Sequence, residues 1–363
     1  MCRLQDVGGR RGPLLRALSF TRPVHNFRAF QVFPSWSASP MNSVVKGARY
    51  PMDLLATLRT KIISVQDGDH TPGLYAVLLH IETAFKHLAR GQATDEETAF
   101  TDAIYRTNQA YEGSIKEAYR VIAEKDPATQ GLFDVEEYLQ ANNILRHRVL
   151  AQFSHYRKEW RNPSTHDYKL DFDESEALLA IISVTGFACV LFDQIAEKLS
   201  YKKSKAEADA QKADLQARLS HSAEDLAERL VGILKEFAAQ PSREIAPTLQ
   251  RETEVQLVGG MAGFIASAAP DLSVLRDVLY DTGARADLVV ADGAKQVIIE
   301  VKRGHGRSRR AVEIGLPQVV HSLRLSGITD GILYLSGCGK LAVEEHVSHG
   351  VGRIFVLKPA SRA

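Results

Sequence analysis

Cysteine is nearly absent from this 363-residue chain: only Cys2, Cys189 and Cys338 occur, and none forms a C-x-x-C pair. That argues against a disulfide framework and a zinc ribbon, and so sparse a thiol content suits a reducing cytoplasm. An excess of charge of either sign is also missing, since 45 basic side chains face 44 acidic ones. Affinity for a polyanion must then come from a local patch rather than from the field of the whole molecule. The strongly apolar uncharged run at residues 177–192 has 16 residues, short of the ~20 that cross a bilayer, which predicts a buried core helix and no membrane span. There is no tandem repeat, no G-x-x-x-x-G-K-[ST] phosphate loop and no G-x-S-x-G nucleophile elbow, so nothing points to a built-in nucleotide motor.

What is present is concentrated in two places. The first is Arg-Ala-Asp287-Leu-Val-Val, followed after a short turn by Val-Ile-Ile-Glu300-Val-Lys302-Arg. Both segments read as strands, joined by a hairpin through Asp292, Gly293 and Ala294. Side chains two apart on a strand share a face, so Glu300 and Lys302 project together, and the hairpin can bring Asp287 beside Glu300. The bland alternative is a solvated hairpin on which Glu and Lys merely keep the strand soluble. Val297, Ile298, Ile299 and Val301 speak against it, because charges on a largely buried strand need partners or a metal. Two carboxylates at this spacing suit a hard divalent cation, Mg²⁺ or Mn²⁺, and the lysine would serve an attacking water.

This constellation resembles the PD-(D/E)xK nucleases, the restriction-endonuclease-like fold, over roughly residues 243–360. Ala286 stands where the family name has proline, which does no chemistry. The resemblance implies an α-β-β-α-β core: a helix over residues 248–266 carrying Glu252 and Glu254, the two strands, a helix over 311–325 carrying Gln318, and a strand at 331–335. A helix near 341–347 and a last strand at 353–357 are expected to follow. It further implies Asp287, Glu300 and the Val301 carbonyl as metal ligands, Lys302 as the catalytic lysine, and Glu254 and Gln318 as accessory catalytic groups. The segment Lys302-Arg303-Gly-His305-Gly-Arg307-Ser-Arg309-Arg310 reads as a basic loop able to follow phosphates, with an unliganded mobile loop as the alternative.

The second place is Trp160-Arg161-Asn162-Pro163-Ser164-Thr165-His166-Asp167-Tyr168. Pro163 is expected to break a helix here, and Asp173-Glu-Ser-Glu176 opens the next one with a capping-box pattern. The stretch resembles the R-x4-6-H motif of HEPN domains, Asn162 included, over about residues 53–200. The resemblance implies metal-independent cleavage of RNA to a 2′,3′-cyclic phosphate, with His166 as base and Arg161 stabilising the transition state, in a cleft shared by two HEPN domains, of a homodimer or of another HEPN partner. Arg and His at a helix end also serve terminal carbonyls, and many such modules only mediate interactions. Tyr156, Trp160 and Tyr168 could stack on bases or simply pack.

Periodicity fills in the rest. Leu74, Val77, Leu78, Ile81, Phe85 and Leu88 mark one helix, followed by helices at 96–124, 134–160 and 173–199: an up-and-down bundle. Leu215, Leu219, Leu226, Leu230, Ile233 and Phe237 alternate by three and four within a charged linker, residues 201–240, fitting either a short dimerising coiled coil or intramolecular packing. Residues 1–40 carry six arginines against one acid, Asp6, and no apolar run of secretory length. They are expected to be disordered, or to precede a translational start at Met41 or Met52.

The reading is therefore a multidomain α plus α/β protein. A HEPN-like helical bundle is joined through a linker helix to a restriction-endonuclease-like domain with a mixed central sheet. Its expected activity is metal-dependent phosphodiester hydrolysis, on DNA first and RNA second, by a cytoplasmic homodimer in prokaryotic antiviral defence. The rivals are a HEPN ribonuclease toxin whose C-terminal domain only binds nucleic acid, and a non-enzymatic dimeric adaptor.

Overall fold

The computed structural model describes residues 53–166, 169, 171–219, 225–241, 252–303, 308–336, 340–348 and 350–360. The leader, Tyr168, His305, Arg307 and the His166 side chain lie outside them.

Helix α1 (Leu54–Ser64) starts at Asp53, whose carboxylate accepts from the Ala56 N–H at 3.0 Å. In α2 (Thr71–Thr94), Pro72 sits in the first turn, where its missing N–H costs nothing. The buried residues Leu74, Val77, Leu78, Ile81 and Leu88 follow the predicted stripe. Helix α3 (Thr98–Ile122) comes next. The single helix expected over 134–160 is instead divided: α4 (Leu132–Ala141), a break where Asn143 takes a left-handed φ of 49°, and α5 (His147–Tyr156). A five-residue π turn (Arg157–Arg161) and α6 (Asn162–His166) then continue it. Pro163 therefore does not end the helix. Within the π turn the Asn162 N–H bonds to the Arg157 carbonyl, and this wider turn makes room for a ring that would otherwise collide with the carbonyl four residues back.

Helix α7 (Glu174–Ala210) opens with the predicted capping box, Asp173 and Glu176 each accepting the other's N–H at 2.8 and 2.9 Å. It passes well beyond the expected end near 199. Residues from Ala177 to Ala196 lie in the core of the helical bundle, whereas Ala208 belongs to the core beneath the sheet. By length and composition α7 could cross a membrane, and 56% of its apolar stretch is buried against the rest of the fold. Helices α8 (Lys212–Leu219) and α9 (Leu226–Ala238) follow. Leu215, Leu226, Leu230, Ile233 and Phe237 are all buried against α10 (Glu254–Ala268) and the sheet. Among the described residues, this series packs within the chain.

Helices α7 and α10 approach until backbone touches backbone. A Cβ at Gly259 would lie 2.2 Å from the Glu197 carbonyl oxygen, and one at Gly263 would lie 2.2 Å from that of Tyr201. Only glycine permits such proximity.

Among the described residues, six strands form one mixed sheet in the order β1-β2-β3-β4-β6-β5. They are β1 (Ser273–Leu279), β2 (Arg285–Asp292), β3 (Lys295–Lys302), β4 (Asp330–Leu335), β5 (Leu341–Ser348) and β6 (Gly352–Pro359). Strands β3, β4 and β6 run parallel, and α11 (Ser308–Ser326) makes the crossover from β3 to β4. Two sequence expectations change here. The segment expected as a helix at 341–347 is β5, paired antiparallel with β6. Leu341 and Val343, two apart, both reach the core, a period of two rather than 3.6. Strand β1 has no sequence signal of comparable clarity, because Leu275 and Leu279 are exposed and Asp277 has a φ of 54°. That left-handed residue breaks the alternation: Val274 packs into the core on the α10 side and Val278, four residues on, into the core on the α11 side.

Strand β3 keeps its alternation. Val297, Ile299 and Val301 face the α10 side, and Ile298 faces the α11 side. Glu300 and Lys302 therefore emerge on the face of Ile298.

Candidate active site

Strands β2 and β3 form the predicted hairpin, closed by the Asp292–Lys295 pair and by Gly293 at a φ of 56°. Their ladder runs as far as Leu288 opposite Ile299. One step further, Asp287 stands opposite Glu300, and its Oδ2 accepts the Val301 N–H at 2.9 Å. The aspartate carboxylate thus stands in for a backbone acceptor at the point where the ladder stops. Lys302 Nζ donates to Glu300 Oε1 at 2.7 Å and lies 3.5 Å from Glu254 Oε1. Glu254 comes from the first turn of α10, whose cap is Thr253. Asp287, Glu300, Lys302 and Glu254 are thus brought together from three elements.

Three acids crowd one ammonium. Burial pushes the Glu300 carboxyl up to about 7, with the nearby Asp287 charge adding to it and the Lys302 contact pulling against it. Burial also raises Asp287, opposed by the Val301 N–H and the Lys302 charge. Glu254 is raised by burial, with Lys302 opposing. Burial works against the Lys302 charge, but the Glu300 hydrogen bond and the surrounding carboxylates hold its pKa above the ordinary value. The cluster therefore carries more acid than its own cation neutralises, the electrostatic condition that favours an added cation. Among the described residues, no three acid, histidine or cysteine side chains are drawn into a ready metal cage. The Lys302 ammonium occupies the space between Glu300 and Glu254.

This imbalance has a testable sign. Glu300 holds its proton to about pH 7 in the fold, against an ordinary 4.5 in the unfolded chain. Its contribution to stability is fully present below pH 4.5 and is lost as pH rises through 7. In EDTA, the Tm of Glu300→Gln should gain on that of the unaltered protein across this window. Parallel Tm curves from pH 4.5 to 8 would contradict the assignment.

The remaining expected residues are placed differently. Gln318 is exposed on α11; the helix face turned to the sheet holds Gly315, Val319, Ser322 and Leu323. Gly315 is the residue over the site, since a Cβ there would lie 3.3 Å from Lys302 Cγ. Sequence reading missed it, because a helical glycine carries no chemistry of its own. Arg303 is half-buried and its charge is felt at Glu254. Arg309 is exposed and paired with Glu313 at 3.1 Å, whereas Arg310 is exposed with no ion pair among the described residues. Glu252, the other acid near the start of α10, is exposed. Ala286 is fully buried in the core on the α11 side.

At the second motif, Arg161 ends the π turn and donates from Nη1 to Asn162 Oδ1 at 3.1 Å. Its carbonyl accepts from the hydroxyls of Ser164 and Thr165 at 3.1 and 2.8 Å. A buried polar network that the sequence did not reveal supports this turn. Tyr156 stacks on Tyr111, centroids 4.7 Å apart, and donates to Thr107 at 2.6 Å. Tyr111 donates to Glu136, which also pairs with Arg157, both at 3.1 Å. Asn108 donates to Ser164 at 2.7 Å. Tyr156 and Trp160, the latter against Phe172, are thus buried packing residues, unavailable for stacking on bases.

No family model, curated protein or solved structure matches the chain.

Proposed function

We propose that the protein is a metal-dependent nuclease of the restriction-endonuclease-like class, carrying a HEPN-like helical bundle. The observation that carries this is the convergence of Asp287, Glu300 and Lys302 at the end of one hairpin, with Glu254 beside them. The donors suit Mg²⁺ or Mn²⁺: carboxylate oxygens of Asp287 and Glu300, with the Val301 carbonyl as a further ligand, are hard and anionic. Such an ion, when bound, supplies Lewis acidity and lowers the pKa of a bound water beside a phosphodiester. Asp287 keeps its orientation through the Val301 N–H, so its second oxygen is aimed by the strand rather than by a mobile rotamer. Lys302 is held protonated by its acid neighbours and would orient the attacking water or balance developing charge. Arg303 and Arg310 supply cationic side chains for the phosphate backbone.

DNA is the substrate this reading favours, within a cytoplasmic homodimer serving prokaryotic antiviral defence. Incubation of the purified protein with plasmid and single-stranded DNA should give cleavage in Mg²⁺ or Mn²⁺ and none in EDTA. DNA left intact under every metal condition would refute the reading. A second reading draws on the π turn at Arg161, since such turns recur at functional sites. It makes the helical bundle a metal-independent ribonuclease, and RNA cleavage that survives EDTA but not His166→Ala would favour it.

A further inference from the structure

The helical bundle reaches toward the acid cluster through the Gln256 amide. Gln256 is the third residue of α10, two beyond Glu254. Its Oε1 accepts the Thr253 N–H at 2.8 Å and lies 3.0 Å from the Thr253 hydroxyl, which closes the capping box around Glu254. Its Nε2 donates to the carbonyl of Ser64 at 2.7 Å. Ser64 is the last residue of α1, and its carbonyl is among those that no partner within a helix can satisfy. One side chain thus caps two helices from opposite halves of the chain. Glu254 needs such an anchor: its side chain is 42% exposed and its ion pair with Lys302 is long, at 3.5 Å.

A second link runs from the bundle toward β2. Arg146, from the connection between α4 and α5, pairs with Glu197 of α7 and with Asp277 of β1, the latter at 2.9 Å. Asp277 in turn pairs with Arg285, two residues before Asp287.

We propose that Gln256 is a positioning residue through which the helical bundle sets the place of Glu254 relative to Glu300 and Lys302. The bundle is then part of the nuclease apparatus rather than a tethered neighbour. This inference rests on the metal-dependent nuclease reading. Gln256→Glu isolates the link, because Glu and Gln both serve in a capping box but Glu has no N–H for the Ser64 carbonyl.

In the full chain, DNA cleavage is titrated with Mg²⁺ for the unaltered protein, Gln256→Glu, Glu254→Gln and the double variant, with Tm recorded on the same samples. Gln256→Glu should raise the half-saturating Mg²⁺ concentration roughly tenfold, about what one such hydrogen bond is worth. Its Tm should stay close to that of the unaltered protein, and the double variant should be no worse than Glu254→Gln alone. Gln256→Met, uncharged and similar in size, removes the capping-box acceptor at Thr253 together with the Ser64 bond; should Gln256→Glu not fold, it tests the whole amide and should shift the Mg²⁺ titration at least as far. An unchanged Mg²⁺ titration, or effects of Gln256→Glu and Glu254→Gln that add, would overturn the proposal. If Glu254→Gln behaves as the unaltered protein while Glu300→Gln is inactive, the positioning role fails and the nuclease reading stands. Absence of cleavage by the unaltered protein would remove the nuclease reading itself.

Discussion

Glu300→Gln and Asp287→Asn are each expected to reduce Mg²⁺-dependent cleavage by at least 10²–10³-fold, on the order of what one electrostatic group aimed at the reacting centre contributes. Both replacements keep the local hydrogen bonding. Asparagine at 287 can still accept from the Val301 N–H, and glutamine at 300 can still accept from Lys302. Each removes a negative charge at a site where burial already works against charge, so the loss falls on cation binding rather than on the fold. Circular dichroism and Tm in EDTA should therefore change little, or rise for Glu300→Gln above pH 7. Cleavage at a tenth of the original rate or better in both variants would place the chemistry elsewhere.

The largest effect on stability is expected at Gly259 and Gly263. A methyl group at either position meets a backbone carbonyl at 2.2 Å, belonging to Glu197 or Tyr201. Neither can swing aside as a side chain would, so α7 and α10 must separate. That disrupts packing among Phe237, Met261, Phe264 and Ile265, all of them buried. Overpacking ordinarily costs about 1–3 kcal/mol, and a collision of backbone with Cβ belongs at or above the upper end. Thermal or urea denaturation of Gly259→Ala should show a loss of about 3 kcal/mol or more. Gly186→Ala provides the contrast. Nothing lies within 4 Å of its would-be Cβ in α7, so the change should be neutral or stabilising by about 0.5–1 kcal/mol. Equal stability of Gly259→Ala and the unaltered protein would mean that the two helices are not so closely packed in solution.

The two predictions draw on different levels of organisation, and so did the legibility of the chain. Signals acting over a few residues could be read directly. The capping box at Asp173 and Glu176, the stripe from Leu74 to Leu88, the hairpin at Gly293 and the alternation from Val297 to Lys302 are each complete within one element or two adjacent ones. The acid cluster was legible for the same reason: Asp287, Glu300 and Lys302 lie on neighbouring strands of one hairpin, and a period of two places their side chains without knowledge of the rest of the fold.

Where two local patterns compete, neighbours decide. Val343 and Val347, four apart, satisfy a helical spacing as well as Leu341 and Val343 satisfy a strand, and pairing with β6 selects the strand. Pro163 argues for a break on local grounds, yet a π turn accommodates it. Gln318 had the right residue type in the right helix, but the rotation of α11 on the sheet turns Gly315 toward Lys302 instead.

Periodicity and turn chemistry by themselves determined where helices α2 and α3 run, where α7 begins, where the hairpin folds and which three charges meet on it. Tertiary structure alone decided how far α7 extends, how closely α10 lies upon it and which bundle residue meets Gln256. The Gln256–Ser64 bond joins positions 192 residues apart. Its geometry depends on how entire helices pack, and no short-range pattern encodes the approach of two backbones that only glycine allows.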